Sequence, residues 1–256
     1  MNALTALPTR RDETWRYADM DAVKTLGLDA LNNWREIAVE ASGSQREMIL
    51  LTGDIAQIMR LRVNVGDGAR AEIFAVNAGN ASCRLEIEVT LGRGAHFEFG
   101  GVTIGGSNAA NPVTREFVTQ TIHALPDATS NQTVRSVHWD NAIGNFLGEI
   151  KVARHAQKTD AAQDFKALLL EKGASANAVP QLEIFADDVK CAHGATVGEL
   201  DEAARFYMAA RGLSPDAAKR LLVQAFIGDA LVALDDEAQR EAMMDTALAA
   251  LGGADL

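Results

Sequence analysis

The sequence predicts a mainly β protein that ends in a helical region. Through residues 46–198, apolar and polar residues alternate in short runs separated by Gly, Asn and Asp. Residues 199–256 change to the spacing of amphipathic helices, and residues 1–45 are irregular at first and then helical. We therefore predict three parts: an N-terminal irregular and helical segment at 1–45, a β core at 46–198 and a C-terminal helical domain at 199–256.

The N-terminal segment carries apolar residues at roughly helical spacing. They are Val23, Leu26, Leu28 and Leu31. Gly27 interrupts this pattern, and glycine weakens a helix interior. The pattern therefore predicts short helices here instead of one long helix.

The clearest strand in the β core is RLEIEVTL, at residues 84–91. Its apolar side chains share one face, and Arg, Glu and Thr occupy the other. The glycines of 66–68 (GDG) and 92–94 (GRG) predict turns after two such runs. Residues 100–108 (GGVTIGGSN) are also rich in glycine and are interpreted as a turn. A sandwich, a barrel and a β-helix all bury one face of such strands, so the pattern leaves these three architectures open.

Residues 159–173 (TDAAQDFKALLLEKG) give conflicting signals. Asp160 stands three residues before Gln163, as in a capping box. The apolar residues that follow lie at helical spacing: Ala161, Phe165, Leu168 and Leu169. Local propensity therefore favours a helix at this place.

The C-terminal region predicts three helices. Gly212 is suited to end the first helix, and Ser214 followed by Pro215 is suited to begin the second. Leu221, Leu222, Ala225 and Phe226 form the expected apolar stripe of that second helix. The apolar stripes of these helices must be buried. We favour packing of the helices on one another and on the β core over docking of the stripes to a partner.

Composition excludes several classes of function. The 256 residues carry a formal net charge of −11, which repels a phosphate backbone, so we expect no nucleic-acid partner. No run approaches the roughly 20 apolar residues that span a bilayer, and the first residues lack the features of a secretory signal. The two cysteines form no disulfide framework. We therefore expect a cytoplasmic protein with no membrane partner.

Cys191 and His193 are the best candidates for chemistry. In a strand, residues two apart project to the same side, and a thiolate and an imidazole both bind zinc or iron. Two ligands are too few for a closed metal site, and no second Cys/His pair completes the set. Taken alone, the residues favour a buried thiol beside a structural imidazole, with an open site completed by another chain as the alternative. No nucleophile, phosphate-loop or dinucleotide motif is present, so an enzyme is not predicted.

Two stretches carry a resemblance to a known family. Residues 182–222 read LEIFADDVKCAHGATVGELDEAARFYMAARGLSPDAAKRLL, and residues 8–20 read PTRRDETWRYADM. Together they resemble the SufB/SufD family of iron–sulfur cluster assembly proteins, and its SufD branch in particular. The resemblance implies a right-handed parallel β-helix with a short N-terminal helical segment and a C-terminal helical domain. It also implies that 160–172 belongs to the β-helix, with Asp160 and Gln163 as turn residues that satisfy backbone groups.

The resemblance further implies a function and a set of partners. It implies a non-catalytic scaffold subunit of the SUF system that pairs with a SufB-like subunit and binds a SufC-like ABC ATPase through its C-terminal helices. In isolation such a chain is expected to form a homodimer. His193, with Cys191 beside it, matches the position that helps to hold a transient iron–sulfur cluster shared with SufB, while flavin binding is left open. The residues assigned to partner binding are Phe206, Tyr207, Arg211, Leu222 and Phe226.

Two alternatives remain at this point. The first is an adaptor that docks through its helical tail and has no ligand role. The second is a β-helix enzyme that acts on acidic polysaccharide. The second is opposed by the acidic composition, by the absence of an export signal and by the lack of clustered carboxylates.

Overall fold

The computed structural model describes residues 3–107 and 112–253, and its central feature is a parallel β-helix. Successive strands alternate between two six-stranded sheets, and every pairing is parallel. The first sheet has the order β1-β3-β5-β7-β9-β11, and the second has the order β12-β10-β8-β6-β4-β2. The mainly β prediction and the β-helix that the resemblance implied are both confirmed. The strands are β1 Trp34–Val39, β2 Ser44–Leu51, β3 Gln57–Val65, β4 Arg70–Asn77, β5 Cys83–Leu91, β6 His96–Gly105, β7 Thr114–His123, β8 Thr129–His138, β9 Ile143–Val152, β10 Asp160–Leu169, β11 Ser175–Ile184 and β12 Lys190–Gly198.

The hydrophobic core lies between the two sheets, where the predicted apolar face of β5 points. Parallel pairing in register stacks Leu85 on Phe117 and Phe117 on Phe146, and all three are fully buried. Phe117 also contacts Phe99 of the opposite sheet. The two rings pack in an edge-to-face arrangement, with 5.5 Å between their centres. Burying each such side chain stabilises the fold by about 1.5–3 kcal/mol, so the stacked columns hold the two sheets together.

Residues 160–169 form strand β10, so the local helix signal is overridden. Their burial alternates with period two, with Ala161, Gln163, Phe165 and Ala167 directed inward. Strands β8 and β12 pair with β10 on its two sides and supply partners for its backbone groups. Pairing on both sides outweighs a local preference of a few tenths of a kcal/mol per residue.

The glycine-rich stretches have two different roles. Gly68 (φ 66°) and Gly94 (φ 62°) lie in turns as predicted, and each turn carries the chain from one sheet to the other. Gly100 and Gly101 instead lie inside β6, which corrects the interpretation of 100–108 as a turn. A Cβ atom at Gly100 would lie 2.1 Å from the carbonyl oxygen of Ala230, so the missing side chain admits the C-terminal region. Asn108, the last residue of this stretch, lies outside the described residues.

The N-terminal segment contains helix α1, Met20–Asn32, with Asp19 as its N-cap. Gly27 adopts φ 74° inside this helix and breaks it into two short pieces, as predicted. The first strand begins at Trp34, within the segment assigned to 1–45. The division of the chain at 45 and 198 otherwise stays a prediction.

The C-terminal region forms helices α2 Glu202–Ala210, α3 Pro215–Gly228 and α4 Glu237–Ala249. Helices α3 and α4 pack on the outer face of the second sheet. The predicted ends are confirmed, since the Ser214 hydroxyl accepts from the amide of Ala217 and Gly212 adopts φ 87°. The predicted stripe of α3 is wrong in detail: its buried residues are Ala218, Val223 and Ile227. None of the helices within the described ranges is long and apolar enough to cross a membrane.

Candidate functional site

The candidate site lies at the C-terminal end of the β-helix. Strand β12 is the edge of the second sheet and β11 is the edge of the first, so both present an unpaired side within the described part of the chain. Strand β12 is exposed along most of its length. Ile184, Phe185 and Val197, three large apolar residues, are exposed at this end. Such an edge is a ready template for another strand.

Cys191 and His193 both lie on β12 and point to the same side. In the register with β10, Cys191 pairs with Ala161 and His193 pairs with Gln163. Ala161 and Gln163 are each 1% exposed, so this side is the interior of the β-helix. His193 is nevertheless exposed, because β12 is the outermost strand and no coil covers it within the described residues. The imidazole is therefore accessible at the open end.

Cys191 is held in a less polar position than His193. It is half-buried and packs against an apolar cluster that includes Ile150 and Ala161. Burial raises the pKa of the Cys191 thiol, and the negative charge of Asp160 raises it further. The thiol therefore stays protonated near neutral pH until a cation compensates the thiolate charge.

Gln163 is the buried polar residue next to His193 in the ladder. Its side-chain nitrogen donates to the backbone carbonyls of Gly148 at 3.3 Å and Gln181 at 3.1 Å. It thus satisfies backbone groups as the resemblance implied, but it does so from within a strand and not from a turn. Asp160 likewise begins β10 instead of standing in a turn.

The ligand set at this end is incomplete. Across 3–107 and 112–253, no three side chains of His, Cys, Asp or Glu lie close enough together to hold a metal ion. An imidazole and a thiol at an open edge can supply part of the coordination of an iron–sulfur cluster, with the other ligands from outside the described residues.

Cys83 lies elsewhere and has a different environment. It is 3% exposed in the core, where its backbone carbonyl accepts from the side chain of Asn77. Burial raises the pKa of its thiol to about 12, although the positive charge of Arg115 opposes this. Cys83 is therefore a core residue in this structure.

The five residues assigned to partner binding divide into two groups. Phe206 and Tyr207 of α2 are 77% and 56% exposed, and the guanidinium carbon of Arg211 lies 4.5 Å from the centre of the Tyr207 ring. Leu222 and Phe226 of α3 are half-buried, and Phe226 packs against the apolar cluster shared by the helices and the second sheet. Helix α2 has no buried residue among those described.

The sequence patterns missed a set of buried charges on the outer face of the first sheet. Alternating Arg and Glu residues in β3 and β5 have the pattern of a solvated face, yet Arg60, Arg84 and Glu86 are each about 5% exposed. Glu86 accepts from Arg60 at 2.8 Å, and Arg84 also donates to Glu116 of β7 at 2.7 Å. Regularly spaced opposite charges on neighbouring runs are the signal that could have indicated this ladder.

A second missed group links the helices to the sheet. Arg135 of β8 is 2% exposed and contacts Asp164 of β10 and Asp229, which follows α3. The two carboxylates lie far apart in the sequence, so no local pattern indicates their meeting.

The fold and its open end define the class of protein as a β-helix with exposed edge strands at its C-terminal end. The described residues form a parallel β-helix with C-terminal helices, and its open end carries an exposed imidazole, a half-buried thiol and the outer edges of β11 and β12. Comparison with known families then gives a match over residues 30–226 to the SUF system FeS cluster assembly, SufBD core domain. The chain belongs to this family.

The curated relatives agree with this family. The chain is 40% identical over 115 residues to the iron–sulfur cluster assembly protein SufD of Escherichia coli, covering 45% of this chain and 27% of the relative. It is 33% identical over 181 residues to a SufBD family protein of Synechocystis, covering 70% of this chain and 39% of the relative. Relatives named SufD also occur in Plasmodium falciparum and Bacillus subtilis, so the resemblance to SufD proteins is confirmed. The matched region spans less than half the length of these relatives.

Proposed function

We propose that this chain is a non-catalytic scaffold subunit of a cytoplasmic SUF complex, in which His193 helps to hold a nascent iron–sulfur cluster. The observation that carries this proposal is the position of His193: it points inward on an outermost strand and is still exposed. A ligand at that place is sterically free to meet ligands from a second subunit. Family membership supports the assembly role, and the open end supports the ligand role.

The second subunit is a SufB-like chain that docks against β11 and β12. A β-helix partner can add strands to both edges, which would satisfy the unpaired backbone groups. The exposed Ile184, Phe185 and Val197 supply apolar area for such an interface. In isolation, two copies of this chain can pair through the same edges, which gives a homodimer.

His193 and Cys191 contribute unequally to the shared cluster. A neutral imidazole binds iron without losing a proton, so His193 can act as soon as iron arrives. Cys191 has a raised pKa and needs the cation to stabilise its thiolate. His193 is therefore the primary ligand of this chain, and Cys191 is a secondary one.

A SufC-like ABC ATPase docks on the exposed face of α2. Phe206 and Tyr207 present aromatic surface that the described fold leaves uncovered, and Arg211 adds a charge beside it. Aromatic residues and arginine are the residue types that dominate binding energy at interfaces. Leu222 and Phe226, both half-buried on α3, supply a smaller part of this interface.

The test of the ligand role compares His193→Ala with His155→Ala, a matched change at another exposed histidine. Each variant is combined with the SufB-like subunit, the ATPase, a cysteine desulfurase, iron and a reductant, and cluster formation is followed by visible absorption. We expect His193→Ala to abolish cluster formation while the complex assembles normally, and His155→Ala to behave as the parent. An unchanged cluster yield for His193→Ala would remove the ligand role.

A second candidate function is a helical-tail adaptor without a ligand role, and it is favoured by the complete lack of buried residues in α2 among those described. Phe206→Ala and Tyr207→Ala are expected to weaken capture of the ATPase by the full chain. Val232→Ala, at another exposed apolar residue, serves as the control. Loss of capture together with normal cluster formation by His193→Ala would favour the adaptor.

A further inference from the structure

Arg135 is a buried cation that touches both the helical region and the second sheet. Its Nε donates to the Asp229 carboxylate at 2.9 Å, and its Nη2 also contacts that carboxylate. The same Nη2 donates to the Asp164 carboxylate, and Nη1 donates to the Asp164 backbone carbonyl at 3.1 Å. Because the side chain is only 2% exposed, it depends on these two carboxylates to compensate its charge.

Asp164, one of the two partners of Arg135, lies beside the strand that carries His193. Asp164 pairs in register with Gly194 of β12, the residue directly after His193. A Cβ atom at Gly194 would lie 3.3 Å from the Asp164 carboxylate, so the carboxylate sits against the backbone of β12. A displacement of Asp164 therefore acts on the backbone next to the imidazole.

On the other side, the contact reaches the end of α3. Asp229 directly follows this helix, and the next residue, Ala230, is buried and packs closely on Gly100 of β6. The guanidinium carbon of Arg135 also lies 5.9 Å from the centre of the Phe226 ring. The end of α3 therefore contacts both β6, through Ala230, and the Arg135 guanidinium, through Asp229 and Phe226.

We propose that Arg135 is a positioning residue that couples the C-terminal helices to strand β12, so that movement of the helix end changes the placement of His193. The guanidinium joins Asp229 and Asp164 as one unit, so loss of either carboxylate releases one side of the unit from the other. This inference rests on the proposed function for its purpose, since it assigns a route from the docking face of the ATPase to the cluster ligand. Its physical content, a coupling between Asp229 and β12, is a property of the chain alone.

The coupling can be measured by hydrogen exchange on the isolated full-length chain. Asp229→Asn removes one carboxylate from Arg135, and Asp229 is half-exposed, so the fold can tolerate the change. The Arg135–Asp164 pair is then no longer held to the end of α3, so it moves more freely against β12, and we expect amides of residues 190–198 to exchange about 3- to 10-fold faster. Asp229→Glu keeps the carboxylate and is expected to restore slow exchange.

Asp235→Asn is the matched control. Asp235 is also an exposed carboxylate between α3 and α4, but its partner is Arg46 of β2, on the strand at the opposite edge of the same sheet. We expect this change to leave exchange in β12 as in the parent. Unchanged or slower exchange at 190–198 in Asp229→Asn, or equal acceleration in Asp235→Asn, would overturn the coupling. Because the readout needs no cluster, a failed ligand role for His193 leaves this result intact.

Discussion

The guanidinium carbon of Arg84 lies 4.0 Å from the centre of the Trp15 ring. The same guanidinium donates to the backbone carbonyl of Thr14 at 2.9 Å and to Glu116 at 2.7 Å. The N-terminal motif that carries part of the family resemblance is therefore docked on the charged outer face of the first sheet. Trp15 is 4% exposed, so its role in this structure is to cover a buried cation.

Replacing Trp15 should destabilise the fold strongly. We expect Trp15→Ala to lower the free energy of unfolding by about 3–5 kcal/mol, because it opens a cavity and removes the aromatic face from Arg84. Trp15→Phe keeps a ring over the guanidinium and should cost clearly less. Urea denaturation followed by circular dichroism measures both, and equal midpoints for the parent and Trp15→Ala would contradict this account.

Stability should fall as the pH drops below about 6.5, because two histidines are buried in the neutral form. Burial lowers the pKa of His123 to about 4 and that of His138 to about 3, and for His138 the charge of Arg115 contributes. In the unfolded chain a histidine has a pKa of about 6.5, so below this pH the unfolded chain binds these two protons and the folded chain does not. The free energy of unfolding is therefore unaffected by these histidines above about pH 6.5. It falls as the pH drops towards about 4 for His123 and about 3 for His138. Each histidine should contribute a slope of up to about 1.4 kcal/mol per pH unit.

Denaturation at pH 7, 6 and 5 tests this dependence. His138→Gln should destabilise the fold at every pH. It should also make the free energy of unfolding depend less steeply on pH, because one proton fewer is taken up on unfolding. His155→Gln, at an exposed histidine, is the matched control. A slope that His138→Gln does not alter would show that His138 is protonated in the fold.

The two cysteines should differ in reactivity. A cysteine reacts with thiol reagents as its thiolate, and the reagent must be able to reach the sulfur. Cys83 is buried and the pKa of its thiol is about 12, so it meets neither condition. Cys191 is half-buried at the open end and should react alone in the folded chain. We expect dithiobis(nitrobenzoate) to detect one thiol per chain in buffer and two in denaturant. Cys191→Ser should leave the folded chain without reaction, and rapid reaction of Cys83 would contradict the packed core.

Gly148 should not tolerate a side chain. A Cβ atom there would lie 2.1 Å from the side-chain oxygen of Gln163 and close to the Phe146 ring. We expect Gly148→Ala to cost about 1–3 kcal/mol. Gly198→Ala is the matched control, because nothing lies within 4 Å of its Cβ position, and its effect should stay within about 0.5 kcal/mol. Thermal unfolding of both variants measures the difference, and equal stability of the two would show that the Gln163 amide can move.

The placement of Cys191 and His193 was predictable in part. The spacing of Cys191 and His193 placed both side chains on one side of a strand, and the structure agrees. The residues alone favoured a buried pair, whereas His193 is exposed. Its exposure depends on β12 being the last strand of its sheet, and residue spacing carries no information on which strand lies at an edge.

The outer face of β5 shows the limit of pattern reasoning most clearly. Alternation correctly directed Leu85 inward, but it indicated solvent for Arg84 and Glu86, which are buried. Their cover comes from Trp15 and from Arg60, which are remote in the sequence. A local pattern describes which side a residue faces and not what covers that side.

By itself, the sequence determined the alternation of the strands, the ends of the C-terminal helices and the placement of Cys191 and His193 on one side of a strand, because these follow from backbone geometry within a few residues. The tertiary structure decided that 160–169 is a strand, that the outer charges are buried and that Arg135 joins Asp164 to Asp229. Parallel pairing in a β-helix brings together residues from successive coils, such as Arg70 and His96, and C-terminal helices fold back on strands far upstream. Those contacts supply free energy that no short stretch of sequence contains, and they therefore override local preference.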